Sequence, residues 1–255
     1  MKTVSVCIPS WGRPDVRTLR ICPSARLYVD AGQAEEYRMR NPSAEIVECA
    51  PGIHGNIARV RNHILRTEFG RGAAAVCMMD DDISSIFCWH ATPDGYGYNK
   101  RRLSGDGFLA FVEKYTALAE ELGFSLWGMN CIPSNRAYRH GTPFSFENIV
   151  LGPFSCHLSS DFLYDETIPL KEDYDIFLQH IERERGVLRL NFAAYENGAS
   201  ELKKGGCSGQ RNKAEEKRQF IDLQRKWGGA IVTRDRHAMK AYDINPIIRN
   251  PIEGA

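Results

Sequence analysis

Three consecutive aspartates, Asp80, Asp81 and Asp82, follow the apolar run from Ala73 to Met79. Carboxylates this close repel one another unless a cation or hydrogen-bond donors neutralise them. Ligands of open α/β sheets collect beyond the carboxyl ends of strands, and hard oxygen ligands suit Mg²⁺ or Mn²⁺. We therefore predict that Asp80 and Asp82 hold a divalent metal ion against a diphosphate. The alternative is a capped turn, because Asp-rich clusters often begin loops or helices.

A second acidic group, formed by Asp165, Glu166, Glu172 and Asp173, lies later in the chain. Acidic side chains in the first turn of a helix interact favourably with its dipole, which is the structural explanation for Glu172 and Asp173. Four carboxylates nevertheless exceed what capping requires. We expect part of this group to serve the chemistry.

A basic side chain interrupts an apolar helix face. The stretch from about His54 to Phe69 has the periodicity of a helix, and Arg61 falls inside its apolar stripe. An arginine in that position needs an anionic partner. Arg61, with Asn62 beside it, is either in a structural ion pair with an aspartate or a ligand for a bound phosphate or sugar.

The stretch from Gly205 to Arg211 is rich in glycine. Glycines let backbone amides approach an anion closely, and a basic residue at a helix start adds charge where the dipole already favours phosphate. We predict phosphate or DNA contacts for Gly205, Gly206, Cys207 and Arg211. A plain surface turn before a helix is the alternative.

The elements that position these residues alternate between strands and helices. Apolar strand patterns are predicted for Val4–Pro9, Arg26–Asp30, Glu45–Cys49 and Ala73–Met79, and an edge strand for Ile83–Trp89. The polar stretch from His90 to Gly107 is predicted to be a mobile loop. Amphipathic helices are expected after Gly107, after Lys171 and over Asn212–Trp227. This order predicts an α/β fold with a mostly parallel central sheet flanked by helices.

Composition sets broad limits. The 255 residues are 43% hydrophobic and 25% charged, which is ordinary for a globular protein, and no linker divides them. No apolar stretch reaches the roughly 18 residues of a membrane span, and the start runs into strand pattern without a signal-peptide pattern, so we expect a cytoplasmic protein without membrane contact. Eight scattered cysteines without zinc-ligand spacing predict reduced, buried thiols.

The net charge of +1 conceals a basic end. From Ser200 onward, 12 lysines and arginines stand against 7 acidic residues. Such a surface either meets a polyanion or is an ordinary mixed-charge helix surface. If the polyanion is DNA, phosphate contacts are expected from basic residues of the polar loops and the last helix, namely Lys100, Arg101, Arg102, Arg136, Arg139, Lys213, Lys217, Arg218 and Arg225.

Several motifs resemble a known family. The order of elements, with an arginine-asparagine helix before an apolar strand that ends in aspartates, is that of GT-A glycosyltransferases. The stretches Lys171–Asp175, Val187–Asn191, Lys204–Cys207 and Lys226–Gly228 look like those of the TET-associated glycosyltransferases of bacteriophages. The resemblance covers the chain from about Val4 to Val232. It implies a GT-A, Rossmann-like fold over residues 1–255, with a nucleotide-sugar half over about 1–90 and an acceptor half over about 91–255.

The resemblance also implies a function. A sugar would pass from a nucleotide-sugar donor, expected to be a UDP-sugar, to 5-hydroxymethylcytosine in double-stranded DNA, with Mn²⁺ or Mg²⁺ as cofactor and with inversion at the anomeric carbon. The host cytoplasm would be the site of action of such a phage-encoded enzyme. Two alternatives stay open: a GT-A enzyme acting on a saccharide, a lipid-linked sugar or a protein, and a non-catalytic DNA-binding module.

Residue roles carry over from the matching motifs. Asp80 and Asp82 match the metal-binding aspartates, and Asp173 of the Glu172–Asp173 pair would be the general base for the acceptor hydroxyl. The resemblance places the remaining residues at the nucleotide sugar: Pro9, Ser10, Arg13, Asp30, Arg61, Asn62 and Asp81. Structural roles remain the alternative for the first loop, Asp30, Arg61 and Asn62.

Overall fold

A ten-stranded mixed sheet runs through the protein, whose structure is a computed structural model that describes residues 3–94, 97–134, 137–138, 141–197, 206, 211–235 and 244–250. The strands of this sheet are β1 Val4–Pro9, β2 Arg26–Asp30, β3 Glu45–Cys49, β4 Ala75–Met79, β5 Ile83–Ala91, β6 Tyr98–Leu103, β7 Leu126–Asn130, β8 Phe144–Ser145, β9 Phe154–His157 and β10 Leu188–Asn197. A separate two-stranded ribbon is formed by β11 Val232–Arg234 and β12 Pro246–Ile248. The helices are α1 Ala34–Arg40, α2 Ile57–Gly70, α3 Gly105–Glu121, α4 Glu172–Glu184 and α5 Lys213–Trp227.

The sheet order is β3-β2-β1-β4-β9-β7-β10-β5-β6, with β8 beside β10. The pairs among β1, β2, β3 and β4 are parallel, and β7 and β10 are parallel to each other. Only β5, β8 and β9 run against the other seven strands of this sheet. The predicted α/β class with a mostly parallel sheet flanked by helices is confirmed.

The chain order reverses beside β1. From β1 the chain passes outward to β2 and β3, and it then returns through α2 to β4 on the other side of β1. Such a switch point leaves a crevice at the carboxyl ends of the two strands, where ligands of open α/β sheets bind. All five residues of β4 are buried, so the apolar run delivers Asp80 directly to this crevice.

Helices cover both faces of the sheet. One face carries α1 and α3, whose buried side chains join those of β1, β2 and β4 in the largest apolar cluster. The other face carries α2, which packs on the opposite side of the same strands. Helices α4 and α5 share a third cluster that contains Phe177, Ile181, Phe220 and Leu223.

Two expectations about the middle of the chain are wrong. The strand predicted at Ile83–Trp89 is not an edge strand, because β5 lies between β10 and β6. The stretch predicted to be a mobile loop contains β6, which pairs antiparallel with β5 and forms the edge. Its polarity explains the error, because charged side chains such as Lys100, Arg101 and Arg102 are typical of edge strands, where they discourage further pairing.

The described cysteines are free thiols, and six of the seven are buried, as predicted; Cys207 lies outside the described residues. Among the described helices, none is long and apolar enough to cross a membrane.

Candidate active site

A cavity of about 350 Å³ opens at the switch point between β1 and β4. Several segments reach it: the loop after β1, the start of α2, the turn after β4, the loop before β9, and the start of α4 with the residues around it, together with the single residues Asn197, Gly206, Arg211 and Asn245. Of the residues singled out from the sequence, those lining the cavity are Pro9, Ser10, Arg13, Arg61, Asp80, Asp81, Asp82, Glu172, Asp173, Gly206 and Arg211.

Asp81 holds the loop after β1 in place. Its Oδ2 accepts a hydrogen bond from Ser10 Oγ (2.6 Å), and its Oδ1 accepts one from Arg13 Nη1 (3.1 Å). Tyr37 of α1 completes the arrangement, because its hydroxyl lies 2.8 Å from Ser10 Oγ and accepts from the Arg13 amide (3.0 Å). Burial raises the pKa of Asp81, against the Ser10 hydrogen bond and the Arg13 charge. The middle aspartate therefore shapes the wall of the cavity.

Asp80 and Asp82, the residues before and after Asp81, have different neighbours. Asp80 Oδ1 accepts from Arg61 Nη2 (3.1 Å), and a third of its side chain is exposed. Asp82 Oδ2 lies 3.6 Å from Arg13 Nη1. The turn that carries them is fixed by Thr18, whose hydroxyl donates to the Asp80 carbonyl (2.5 Å) and accepts from the Ile83 amide (3.0 Å). Two carboxylates thus face the cavity from a rigid turn.

Arg61 joins the two acidic groups of the sequence. Its guanidinium is buried and reaches Asp80 on one side and Glu172 Oε1 (3.2 Å, from Nη1) on the other. Burial alone would lower the pKa of Arg61, but the negative charge of Glu172, with Asp80 and others, raises it. The ion pair with an aspartate, one of the two alternatives for Arg61, is present, and Glu172 is a second acidic partner.

Gly152 leaves the room that this guanidinium occupies. A Cβ atom at position 152 would lie 2.3 Å from Arg61 Nη1, well inside van der Waals contact. The ring of Tyr164 lies on another side, 5.5 Å from Arg61 Cζ. Nothing in the sequence around Gly152 marks it as a neighbour of Arg61, because the two residues are 91 positions apart.

Glu172 and Asp173 begin α4 but have different surroundings. Burial and the neighbouring Asp173 charge raise the pKa of Glu172, against the opposing charge of Arg61. Asp173 is half-buried and accepts hydrogen bonds from the amides of Tyr174 (2.9 Å) and Gly152 (3.3 Å). These two amides occupy one lone pair on each oxygen, which leaves Asp173 able to accept a further proton or hydrogen bond from the cavity.

Two residues predicted to bind the nucleotide sugar do not line the cavity in the described part of the chain. Asp30 caps a 3₁₀ turn by accepting from the Gly32 amide (2.9 Å). Asn62 is buried and clamps Tyr164, accepting from its amide (2.8 Å) and donating to its carbonyl (2.9 Å). Both side chains have the structural role that the sequence left open.

Arg211 reaches the cavity from the start of α5. Its Nε lies 3.3 Å from Glu216 Oε1, and the other oxygen of Glu216 accepts from the buried Lys171 (2.5 Å). Glu216 therefore anchors two cations that line the cavity, and their combined charge exceeds its own.

Other parts of the family-like motifs have structural contacts. Asp175 is fully buried and accepts from Trp227 Nε1 (2.8 Å) and Lys226 Nζ (2.8 Å). The Lys226–Gly228 motif thus ties the end of α5 to the beginning of α4, and Gly228 ends the helix with φ of +93°. The motif therefore anchors α4, whose first residues line the cavity.

The glycine-rich stretch is described only at Gly206 and Arg211. The Gly206 amide donates to the Trp11 carbonyl (2.9 Å), and a Cβ at this position would lie 3.3 Å from the Arg13 guanidinium. This brings Gly206 to the loop after β1. Gly205 and Cys207 lie outside the described residues, as do Arg136 and Arg139.

The acidic pair suits one kind of metal site. Among the described residues, no three His, Cys, Asp or Glu side chains are grouped so that they could hold a metal ion alone. Mg²⁺ and similar hard cations are commonly bound by one or two carboxylates together with substrate phosphates. Asp80 and Asp82 are the two carboxylates that such a shared site would use.

Cations expected to meet DNA are partly neutralised within the protein. On α5, Arg218 pairs with Glu215 and Asp222, and Arg225 also pairs with Asp222. Lys100 of β6 pairs with Glu196. Exposed ion pairs of this kind use up much of the charge that a polyanion would need, so α5 has less free positive charge than its composition suggests.

Comparison with known proteins gives similarities of structure only. No protein-family model matches the sequence, and no curated protein matches it. Solved structures that resemble the chain include A197 from STIV (12% identity, TM-score 0.40, 78% of this chain and 86% of that one) and TarS from S. aureus (10%, 0.46, 87% and 40%). Another is mannose-1-phosphate geranyltransferase from Thermus thermophilus (13%, 0.32, 52% and 42%). The chain spans about two-fifths of the length of the last two, and similarities at this level carry no argument about activity.

Proposed function

We propose that this protein is a metal-dependent glycosyltransferase that moves a sugar from a nucleotide-sugar donor to a hydroxyl group, with 5-hydroxymethylcytosine in DNA as the acceptor. One observation carries the proposal: Arg61 links the aspartates at the tip of β4 to the acidic pair at the start of α4 across one cavity. The chemistry needs a place for a leaving diphosphate and a base for an incoming hydroxyl. Both acidic groups line the same cavity, which is large enough for a ligand.

The donor side is formed by the loop after β1, the β4 turn and Arg211. Arg13 and Arg211 offer cationic partners for phosphate oxygens, and Arg61 would be another if a metal ion were bound by Asp80. Asp80 and Asp82 would hold Mn²⁺ or Mg²⁺, which supplies Lewis-acid stabilisation of the leaving nucleoside diphosphate. Asp81 orients the loop that contacts the nucleoside, through Ser10 and Arg13.

The acceptor side centres on Asp173. In the proposed step the acceptor oxygen forms a bond to the anomeric carbon while the bond from that carbon to the diphosphate oxygen breaks, and the electron pair leaves on the nucleoside diphosphate. Asp173 accepts the hydroxyl proton late in this process, because an alcohol is a far weaker acid than a carboxylic acid. Glu172 positions Arg61 through their contact. Attack from the side opposite the diphosphate gives inversion.

DNA is proposed as acceptor from the family-like motifs. Three arginines described below, which have no acidic partner among the described residues, support a polyanion. The test combines the protein with a nucleotide sugar, Mn²⁺ and duplex DNA with or without hydroxymethylcytosine, followed by digestion to nucleosides and mass spectrometry. A hexose mass on hydroxymethylcytidine alone is expected. Nucleotide release without a DNA adduct would reject the acceptor, and neither product would reject the enzyme class.

A further inference from the structure

A surface depression of about 640 Å³ lies beside the loop that forms one wall of the cavity. Three exposed arginines line it, Arg17 and Arg20 from a 3₁₀ turn and Arg40 from the end of α1, against one carboxylate, Asp15. No carboxylate of the described residues is within ion-pair distance of these three arginines. The group, here called the arginine patch, thus combines concave shape with uncompensated positive charge.

The rim of the patch is rigid. Asn41 Nδ2 donates to the Pro14 carbonyl (2.8 Å) and to the Tyr37 carbonyl (3.0 Å), which fixes the end of α1 against the turn. The Arg17 amide donates to the Asp81 carbonyl (3.0 Å). These hydrogen bonds hold the backbone that presents the guanidinium groups, so binding would cost little further ordering.

The same backbone segment connects the patch to the cavity. Its first part, Ser10 to Arg13, lines the cavity, and its last part, Arg17 to Arg20, lines the patch. A ligand that touches both must be extended and must carry several negative charges. Guanidinium groups pair with phosphate oxygens in bidentate geometry, and three of them on separate backbone positions suit successive phosphates rather than one small anion.

We propose that the arginine patch is a binding surface for the phosphodiester backbone of the acceptor nucleic acid, through Arg17, Arg20 and Arg40. This inference rests on the proposed function for the identity of the polymer. The ordinary explanation of exposed arginines is solvation without a partner. Three observations argue against that explanation: the concave placement, the lack of acidic partners within the described part of the chain, and the backbone shared with the cavity wall.

The experiment measures binding of a fluorescein-labelled 20-base-pair duplex by anisotropy over a range of NaCl concentrations. Each lost phosphate contact lowers the slope of log Kd against log salt by about 0.9. The triple variant Arg17→Gln, Arg20→Gln, Arg40→Gln should therefore lose about 2 to 3 from the slope and bind the duplex at least about 10-fold more weakly at low salt. The matching triple substitution to lysine should keep most of the slope, which shows that charge rather than altered folding is responsible.

The control removes the same charge from the other face of the sheet. Arg66 on α2 and Arg183 and Arg185 at the end of α4 are exposed, and Arg66→Gln, Arg183→Gln, Arg185→Gln should leave the slope unchanged. An unchanged slope in the patch variant, an equal loss in the control, or no duplex binding by the unaltered protein at low salt would each overturn the inference. Sugar transfer is measured separately. If the protein transfers sugar to DNA but the patch variant keeps the salt slope, only the arginine patch is rejected. If the patch variant loses the slope but the unaltered protein transfers no sugar, only the proposed enzyme activity is rejected.

Discussion

Arg61 Nη1 lies 3.2 Å from Glu172 Oε1, while Nη2 of the same guanidinium donates to Asp80 at 3.1 Å. Removal of the Arg61 guanidinium leaves the carboxylates of Asp80 and Glu172 near each other without this counter-charge. Arg61→Gln should therefore lower the free energy of unfolding by about 3 kcal/mol, the usual effect of breaking a buried pair. It should also abolish sugar transfer. Urea unfolding and the nucleoside assay measure the two effects.

Arg59→Gln is the matched control on the same helix. Arg59 pairs with Glu166 at 3.0 Å, but both side chains are more than a third exposed. Surface pairs contribute roughly 0–1 kcal/mol, so this variant should unfold almost like the original protein. Equal losses in the two variants would mean that Arg61 has no special role.

Asp82→Asn tests the metal site. The amide keeps the size of the side chain but removes the charge that a divalent cation requires. We expect loss of turnover and loss of the Mn²⁺-dependent part of nucleotide-sugar binding, measured by titration calorimetry with and without metal. Asp106→Asn, at the exposed start of α3, should change neither quantity. Full activity of Asp82→Asn would remove the metal role.

Asp173→Asn tests the base. It should keep donor binding intact and slow sugar transfer on the order of 10²-fold or more, the usual contribution of a positioned base. Asp161→Asn, an exposed residue before α4, serves as the control. A normal rate in Asp173→Asn would leave this residue as a simple cap of α4.

Gly152→Ala tests the packing around Arg61. The added methyl group would lie 2.3 Å from Arg61 Nη1, so the guanidinium must move away from Asp80 or Glu172. We expect a destabilisation of about 1–3 kcal/mol, typical of overpacking, together with slower transfer. Gly70→Ala, where nothing lies within 4 Å of the new atom, should be neutral or slightly stabilising. Wild-type behaviour of Gly152→Ala would show that the guanidinium has spare room.

Glu68 should make the free energy of unfolding depend on pH. This buried residue of α2 accepts from Ser5 Oγ (2.7 Å) and from Tyr28 and Arg26. Burial would raise its pKa, but the Ser5 and Tyr28 hydrogen bonds and the Arg26 charge outweigh burial and lower it. A lowered pKa in the folded state means that its stabilisation is complete above the unfolded pKa and is lost as pH falls through the folded value.

The variant that tests this is Glu68→Gln. Its deficit in unfolding free energy should be largest near neutral pH and should shrink below about pH 4, near the usual range for glutamate. The exposed Glu45, which also pairs with Arg26, provides Glu45→Gln as a control with a small deficit. A deficit for Glu68→Gln that is constant from pH 7 to pH 3 would contradict the assignment.

Much of the fold could be predicted from the sequence because the buried parallel strands are continuous apolar runs. The bounds of β1, β2 and β3 are those expected, since Gly, Pro and polar residues border each run. The error at β6 has a physical cause: an edge strand with four exposed polar residues has the composition of a loop, and only its pairing with β5 makes it a strand.

The candidate site could be predicted in part. Arg61 was found because a charge on an apolar helix face demands a partner, and the acidic clusters were found because their density exceeds structural need. The contacts of Asn62 and Asp30 could not be predicted, because the sequence around such a residue does not show whether its side chain faces a ligand or binds nearby backbone groups. The role of Lys171 in anchoring Glu216 could not be predicted either, because Glu216 lies on α5, 45 positions further along the chain.

The ties between α4 and α5 also limit how the cavity can change shape. Lys171 and Asp175, one turn apart at the start of α4, are bound by Glu216 near the beginning of α5 and by Lys226 and Trp227 at its end. Two attachment points prevent one helix from sliding or pivoting past the other. If the cavity narrows around a donor, α4 and α5 must shift as one body, and Asp173 and Arg211 will advance together.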